Sequence, residues 1–572
     1  MKPNSRTLPK TQHALQLVGQ GLLRLNDAKA VSRPGPHQIL ARVEATALCF
    51  SDLKLVKQFS EHARKGEIVH GIAREVLSEI PSYVPGDKPT VPGHETVCRI
   101  VEVGEKVRHH SPGERYLVQA DYRSLSTKGS KAAFGYNFEG GLQEYVLMDE
   151  RVVFDPETNQ RYLLPVDEHL SAAAVCLVEP WACVEDSYVT AERRSVLAGG
   201  KLLVVADAGR EIMGVAESFA PAGTSRPDGT RGPGGKPAEM TAVCREGGQL
   251  RTLKSLGASV VEKRSVDDLP NETFDDILYF GANADTLEIL NDKLGAGGII
   301  NVVTGGRKIG RPVSVGIGRI HYSLCRWIGT VGRAASDSYR TIPENGGIRP
   351  GEKIIVVGAG GPMGQMHVIR DICSGTPGIS IVIADLDSAR LDRLHEKVQA
   401  LAWAQGVAVR ARKEPGELFS YSVVSAPVPS LVAEAVSNCL PGGLINLFAG
   451  MPVGIKQALD MDAYIAQRCY MFGTSGSVIR DMEIVLDKVH SGRLDTSRSV
   501  DAVSGMAGVL DGIAAIENRT LTGKIVVYPS CYGLGLVPLS ELERRLPSVA
   551  AKLDAGQWCK AAEEELLATA AS

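Results

Sequence analysis

The chain has 572 residues, of which 44% are hydrophobic and 5% aromatic, with 61 glycines and a formal charge of -3. Single hydrophobic cores stop growing near ~250–300 residues, so two or three domains are expected, and the near-neutral balance gives no general attraction to nucleic acid or anionic membrane. No apolar run reaches the ~18–20 residues a membrane helix needs, and the polar start "MKPNSRTLPKTQHALQLVGQ" lacks the apolar core of a secretion signal, so a small-molecule partner and a cytoplasmic location are expected.

From about residue 12 to 165, short alternating segments such as "HQILARVEATALC", "ETVCRIVEVG" and "GLQEYVLM" are separated by Gly/Pro turns, which predicts a β-rich domain. From about residue 170, apolar runs alternate with helical stretches, the pattern of parallel βαβ units. This second region repeats itself. "DSYVTAERRSVLAGGKLLVVADAGREIMG" from Asp186 is echoed by "DSYRTIPENGGIRPGEKIIVVGAGGPMG" from Asp337, "GAGGIINVVTGG" by "LPGGLINLFAG", and "WIGTVG" by "MFGTSG". Three echoes in one order predict two consecutive nucleotide-type domains. Within the first, the Gly/Pro-rich stretch from Ala220 to Met240 has no apolar periodicity and is expected to be a flexible excursion. The tail from Leu536 predicts two amphipathic helices packed on the body.

Eleven cysteines are scattered and never spaced C-x-x-C, which argues against a disulfide framework or a four-cysteine zinc knot. Three short stretches instead offer ligands: "ATALCFSDLKL", "TVPGHETVCRIVEVG" and "AAAVCLVEPWACVEDSY". They supply Cys49, His94, Glu95 and Glu179, one thiolate, one imidazole and two carboxylates. Catalytic zinc takes three protein ligands from such a menu and keeps a fourth position open. Read singly, each has a bland alternative: a core cysteine, a turn histidine, a helix-capping glutamate.

The order C-x-S-D, then P-G-H-E running into a strand that ends V-x-V-G, then E-P-x-A-C, then a Gly-rich turn after "VVGAG", resembles the medium-chain zinc alcohol and polyol dehydrogenases over roughly residues 12–528. "CFSDLKL", "GAGGPMG", "LINLFAG" and "GTSGSVIRDME" look closest to the sorbitol dehydrogenase and sorbose-1-phosphate reductase branch. The resemblance implies an α/β protein: a GroES-like β-rich catalytic domain (1–185), two tandem Rossmann-type doubly wound parallel-sheet domains (186–336 and 337–528), and a helical extension (529–572). It implies that Cys49 and His94 bind one catalytic Zn2+, that Glu95 and Glu179 fill the carboxylate places, one directly and the other directly or through water, and that Ser51 passes the substrate proton outward. The segment after the His-Glu strand contains no cysteine, so the structural zinc of many family members is not expected.

The dinucleotide turn is expected in the second repeat, where "KIIVVGAGGPMG" presents Gly358, Gly360, Gly361, Pro362, Met363 and Gly364 between a strand and a helix. It carries one residue more than G-x-G-x-x-G before its last glycine. Asp385 ends the next strand, 27 residues after Gly358, where a carboxylate accepts ribose hydroxyls and repels a 2′-phosphate, so NAD is expected in preference to NADP. In the first repeat Ala206 replaces the first glycine, Asp207 and Glu211 add negative charge that Arg210 only partly offsets, and Cys244 and Arg245 stand where an acid would follow. That repeat is expected to bind no dinucleotide, although Arg245 leaves an NADP-like site open, and to cover the sheet edge of its partner as an intrachain pseudo-dimer.

The resulting expectation is a zinc-dependent oxidoreductase passing a hydride between a secondary alcohol of a polyol, sugar or sugar phosphate and NAD. A zinc-free NADPH-dependent reductase of the same superfamily and a non-enzymatic nucleotide-sensing or scaffolding protein remain the alternatives, and the chain is left open as monomer or homodimer. Lys54, Lys57 and Arg64 are read as a solvated face rather than a phosphate site, and His321 and Tyr322 in "RIHYSLCRW" resemble a segment near the end of the family's nucleotide domain although they lie in the repeat read as inert.

Overall fold

A computed structural model describes residues 8–219, 235–256, 260–412 and 416–570. Most of the Gly/Pro-rich excursion, residues 220–234, lies outside the described residues. The chain forms two compact units, Met1–Glu185 with Ser477–Ser572, and Asp186–Gly476. No described helix is long and apolar enough to cross a membrane.

The first unit is built on an eight-stranded sheet whose central strand, Gln38–Leu48, carries Glu95–Val103 on one side and Lys524–Val527 on the other. Its sequence "QILARVEATAL" is buried almost throughout, as expected of a strand covered on both faces. Residues 477–528 therefore depart from the domain boundary expected from the sequence. Their helix Ile479–His490 and strands Val500–Ser504 and Lys524–Val527 belong to this unit, not to the second nucleotide-type domain. Alternating strand and helix look alike on both sides of residue 476, and local periodicity does not say which sheet a strand will join.

The C-terminal extension is fastened by buried polar groups. The Glu563 carboxylate accepts Ala172 N at 2.6 Å and Ala173 N at 2.8 Å, capping the helix Ala172–Cys176 from 391 residues away, and Tyr528 Oη and the buried Trp558 complete the chain of bonds. The tail contains three short helices, Leu542–Arg545, Pro547–Ala550 and Lys560–Ala570, where two were expected.

The second unit contains two six-stranded parallel sheets. The first runs Val260–Glu262, Glu239–Cys244, Lys201–Ala206, Phe274–Phe280, Leu294–Val303, Arg326–Thr330; the second runs Ala408–Ala411, Ser380–Ala384, Lys353–Val357, Phe419–Val424, Cys439–Leu447, Tyr470–Phe472. Both follow the doubly wound order in which the first strand lies centrally and the chain reverses direction beside it. The two sheets, as expected of two Rossmann-type repeats, are separate hydrogen-bonded ladders, and both lie in one compact unit. Their edge strands Arg326–Thr330 and Tyr470–Phe472 lie side by side, and the Glu192 carboxylate bridges them, accepting from Arg326 at 2.8 and 2.9 Å and from Tyr470 Oη at 2.6 Å. Val313–Val315 pairs antiparallel with Gln457–Leu459, and one apolar core runs from Ile300, Ile320 and Trp327 to Ile445, Met461 and Met471.

Candidate functional site

Cys49 follows the central strand of the first unit directly and caps the helix Phe50–Gln58. Strand register decides what surrounds it. Ala47 opposes Glu95 and Leu48 opposes Ile525, so the ends of three adjacent strands deliver Cys49, Glu95 and Lys524 to one place. The Pro92-Gly93 turn adds His94. The ligand atoms of Cys49, His94 and Glu95 all lie within 4.8 Å of one another. Glu179, in the first turn of the helix Val178–Val189, stands outside that group. A second grouping, Asp167, His169 and His490, is wholly solvent-exposed.

The donor set suits a metal ion. Glu95 is fully buried; its Oε1 accepts Lys524 Nζ at 2.5 Å, while Oε2 is buried with no hydrogen-bond partner. A buried carboxylate oxygen without a donor is costly unless a cation meets it. Ser51 Oγ lies 3.0 Å from Cys49 Sγ and 3.1 Å from His94 Nε2, between the two ligands.

Two further residues organise the site. The Asp52 carboxylate accepts Cys49 N at 2.9 Å, Gly93 N at 3.3 Å and His94 Nδ1 at 3.1 Å. A hydrogen on Nδ1 leaves the Nε2 lone pair for a metal, the orienting role outer carboxylates play for ligating histidines. Burial opposes ionisation of Asp52, but the His94 ring and the backbone amides outweigh it and hold the carboxyl below its usual value. Lys524 is the second. Against burial, Glu95, Cys49 and Glu179 hold its ammonium charged. Burial likewise opposes the Cys49 thiolate, yet Lys524 and His94 bring the thiol down to about 6. Burial pushes Glu95 well above its ordinary range and Glu179 up to about 7.

Asp52 was readable as the N3 partner of a helix cap beside Cys49, but its bond to His94 was not. Nothing near Lys524 in the sequence ties it to Glu95, 429 residues away. The basic residues read as a solvated face divide: Lys57 pairs with Glu517 at the surface, whereas Arg64 is drawn into an ion pair with Asp121 at 3.0 Å and lies over the Tyr136 ring.

In the second parallel sheet, Gly358 follows the strand Lys353–Val357 with φ +81°, and a side chain on Gly364 would strike the Gly358 carbonyl. These two glycines are demanded by the turn itself. Gly361 is different: a Cβ there would meet nothing closer than 3.6 Å, so space rather than packing surrounds it at the start of the helix Pro362–Ile372. Pro362 occupies the first turn, where its missing N–H costs nothing, and Met363 follows it. Asp385 Oδ2 accepts Gly360 N at 2.9 Å.

The matching turn of the first sheet is filled by the protein itself. Glu246 Oε1 accepts Gly209 N at 2.6 Å, Asp207 Oδ2 accepts Tyr279 Oη at 2.8 Å, Gln249 Nε2 donates to Asp207 O and Arg210 O at 2.8 Å each, and the Arg210 guanidinium packs over Gly305. Between Asp207 and Phe219 only the 3-10 turn Ala216–Ser218 is helical.

A β-rich domain bearing a buried Cys-His-Glu cluster, joined to doubly wound parallel sheets, defines a medium-chain dehydrogenase architecture. Residues 35–157 match the alcohol dehydrogenase GroES-like domain family. The uncharacterized protein YggP of Escherichia coli strain K12 is 23% identical over 335 residues, covering 54% of this chain and 71% of its own length. The uncharacterized zinc-type alcohol dehydrogenase-like protein YphC of the same organism is 27% identical over 154 residues, 25% of this chain and 39% of its own. Sorbitol dehydrogenase of Bos taurus is 30% identical over 106 residues, 18% of this chain and 24% of its own. Residues 35–157 belong to the alcohol dehydrogenase GroES-like domain family, and the wider likeness is to medium-chain alcohol and polyol dehydrogenases.

Proposed function

We propose that the protein is a zinc-dependent dehydrogenase interconverting a secondary alcohol of a polyol, sugar or sugar phosphate and its ketone, with NAD as the hydride carrier. The observation that carries this reading is the buried meeting of Cys49, His94 and Glu95 around an unpartnered Glu95 Oε2. The names of YphC and of the bovine sorbitol dehydrogenase support it for the metal and the polyol class. Bound zinc supplies Lewis acidity to an alcohol or carbonyl oxygen, and NAD supplies the hydride acceptor.

The chain's own residues do the rest. Cys49, His94 and Glu95 would hold the ion; Lys524 fixes one Glu95 carboxylate oxygen and leaves the other without a protein donor. Glu179, outside the close group, would fill the second carboxylate place directly or through water; a carboxyl brought to about 7 exchanges a proton readily near neutral pH. Ser51, touching both Cys49 and His94, accepts the substrate hydroxyl proton and passes it outward. Gly358, Gly360, Gly361 and Gly364 shape the turn that brings the amino end of the helix Pro362–Ile372 to pyrophosphate. Asp385 accepts the ribose hydroxyls. The first sheet, whose turn is closed by Glu246, Gln249 and Arg210, takes no dinucleotide, leaving one active site per chain.

Metal analysis of the purified protein together with a panel of polyols and sugar phosphates, offered NAD and NADP and read at the nicotinamide absorbance band, tests the reading. One zinc bound through Cys49 and NAD-linked turnover, both abolished in Cys49→Ala, are expected. Full turnover in Cys49→Ala would remove the mechanism. For the cofactor, Asp385→Ala should move the ratio of kcat/KM for NAD over NADP by about 10- to 100-fold toward NADP, the worth of a charged hydrogen bond. An unchanged ratio would remove the role given to Asp385.

A further inference from the structure

We infer that the first parallel sheet completes the nicotinamide end of the cofactor cleft of the second, through His321 and Tyr322 at the end of the helix Ile317–Tyr322; this rests on the reading that the second sheet binds NAD. In a sheet of this strand order a dinucleotide lies across the carboxyl ends, crossing where the chain reverses direction. Asp385 places the adenosine half beside the strands Lys353–Val357 and Ser380–Ala384. The nicotinamide half then falls over the ends of Phe419–Val424 and Cys439–Leu447.

Residues of the other sheet stand there. His321 Nδ1 lies 3.0 Å from the carbonyl of Leu447, the last residue of its strand. Three residues on, a Cβ at Gly450 would strike the Tyr322 hydroxyl and lie 3.7 Å from His321 Nε2. A Cβ at Gly473, just past the strand Tyr470–Phe472, would come 3.2 Å from the His321 Cα. Two glycines at strand ends thus admit one His-Tyr pair from the opposite sheet.

The pair is held firmly. Arg319 donates to Asn291 O at 2.7 Å, Gly318 N donates to Ile455 O at 3.2 Å, and Gly318 packs against the Pro452 carbonyl. The two rings meet edge to face at 4.6 Å. His321 is 7% exposed, whereas Tyr322 is 41% exposed, an aromatic ring with a hydroxyl left at the rim of the site. The Tyr322 hydroxyl, close against Gly450 with the His321 ring behind it, suits the carboxamide and ribose hydroxyls of a nicotinamide riboside, which offer both donors and acceptors. The sheet with the closed phosphate turn would then serve its neighbour in cis, and a single chain would hold a whole site.

Tyr322→Ala and Tyr322→Phe test this, because an exposed side chain can be cut without disturbing the core. Two probes are used: NADH, followed by its fluorescence, and ADP-ribose, which lacks the nicotinamide, in competition. Tyr322→Ala should weaken NADH by about tenfold, one hydrogen bond's worth, with ADP-ribose affinity unchanged and Tyr322→Phe, which lacks the same hydroxyl, showing the same loss. Unchanged NADH affinity in Tyr322→Ala, or an equal loss for both probes, would overturn the inference while leaving the NAD reading intact. A wild-type protein that binds neither probe would instead overturn the NAD reading, and the inference with it.

Discussion

Lys524→Met is expected to destabilise the first unit by about 3–5 kcal/mol, the usual cost of removing one partner of a buried ion pair. The pair is dry on both sides: the Lys524 and Glu95 side chains are 5% and 0% exposed. The loss is larger than the bond itself, because Glu95 Oε2 is already without a partner and the substitution leaves Oε1 in the same state. Amide exchange in the strands Gln38–Leu48 and Glu95–Val103 reads it best, since both flank the site and both report opening of this unit. Measured in the presence of chelator, their slowest amides should exchange roughly 10²–10⁴-fold faster than in the wild type. Adding Glu95→Gln removes the stranded carboxyl and should return most of the protection. Exchange within threefold of wild type in the single variant would show that proton uptake, water or movement relieves Glu95, and that Lys524 does not position it.

The Lys524 contact also marks where reading the chain as a string stops working. The Cys49 and His-Glu segments were legible because each sits in its own short motif, and family resemblance orders those motifs correctly. The strands Lys201–Ala206, Lys353–Val357 and Ser380–Ala384 were legible because "KLLVVA", "KIIVV" and "SIVIA" are apolar runs bounded by turns. Lys524 lies in "GKIVVYP", which reads as one more strand of the same series. Only the antiparallel register of Ile525 against Leu48 shows that it returns to the first unit and brings an ammonium to Glu95. The same return moves residues 477–528 out of the domain to which their periodicity assigned them. His321 was singled out in the sequence, but its contacts were not legible for a related reason: its context is that of a repeat with a degraded phosphate turn, and its partners Leu447 and Gly473 lie 126 and 152 positions away. Contacts between two copies of one fold leave no periodic trace in either copy.

Asp52→Ala should weaken zinc binding by roughly 10- to 100-fold and lower turnover to match, without removing any ligand. Asp52 holds two ligand segments at once. One oxygen fixes the backbone of Cys49 at the start of the helix; the other takes Gly93 N and the His94 Nδ1 hydrogen. Loss of the carboxylate frees His94 to rotate and to carry its hydrogen on either nitrogen, so part of the population presents an N–H where a lone pair is needed. Asp52→Asn separates these effects. Its amide oxygen can still accept from His94 Nδ1, but its NH2 group then faces the Cys49 amide, donor against donor. It should therefore fall between wild type and alanine in zinc affinity while retaining the His94 orientation. Competition with a chromogenic chelator gives the affinities, and thermal melting of the chelator-treated proteins separates a folding defect from a metal defect. Equal zinc affinity in wild type and Asp52→Ala would mean that the Pro92-Gly93 turn alone orients His94, and Asp52 would be left as a helix cap.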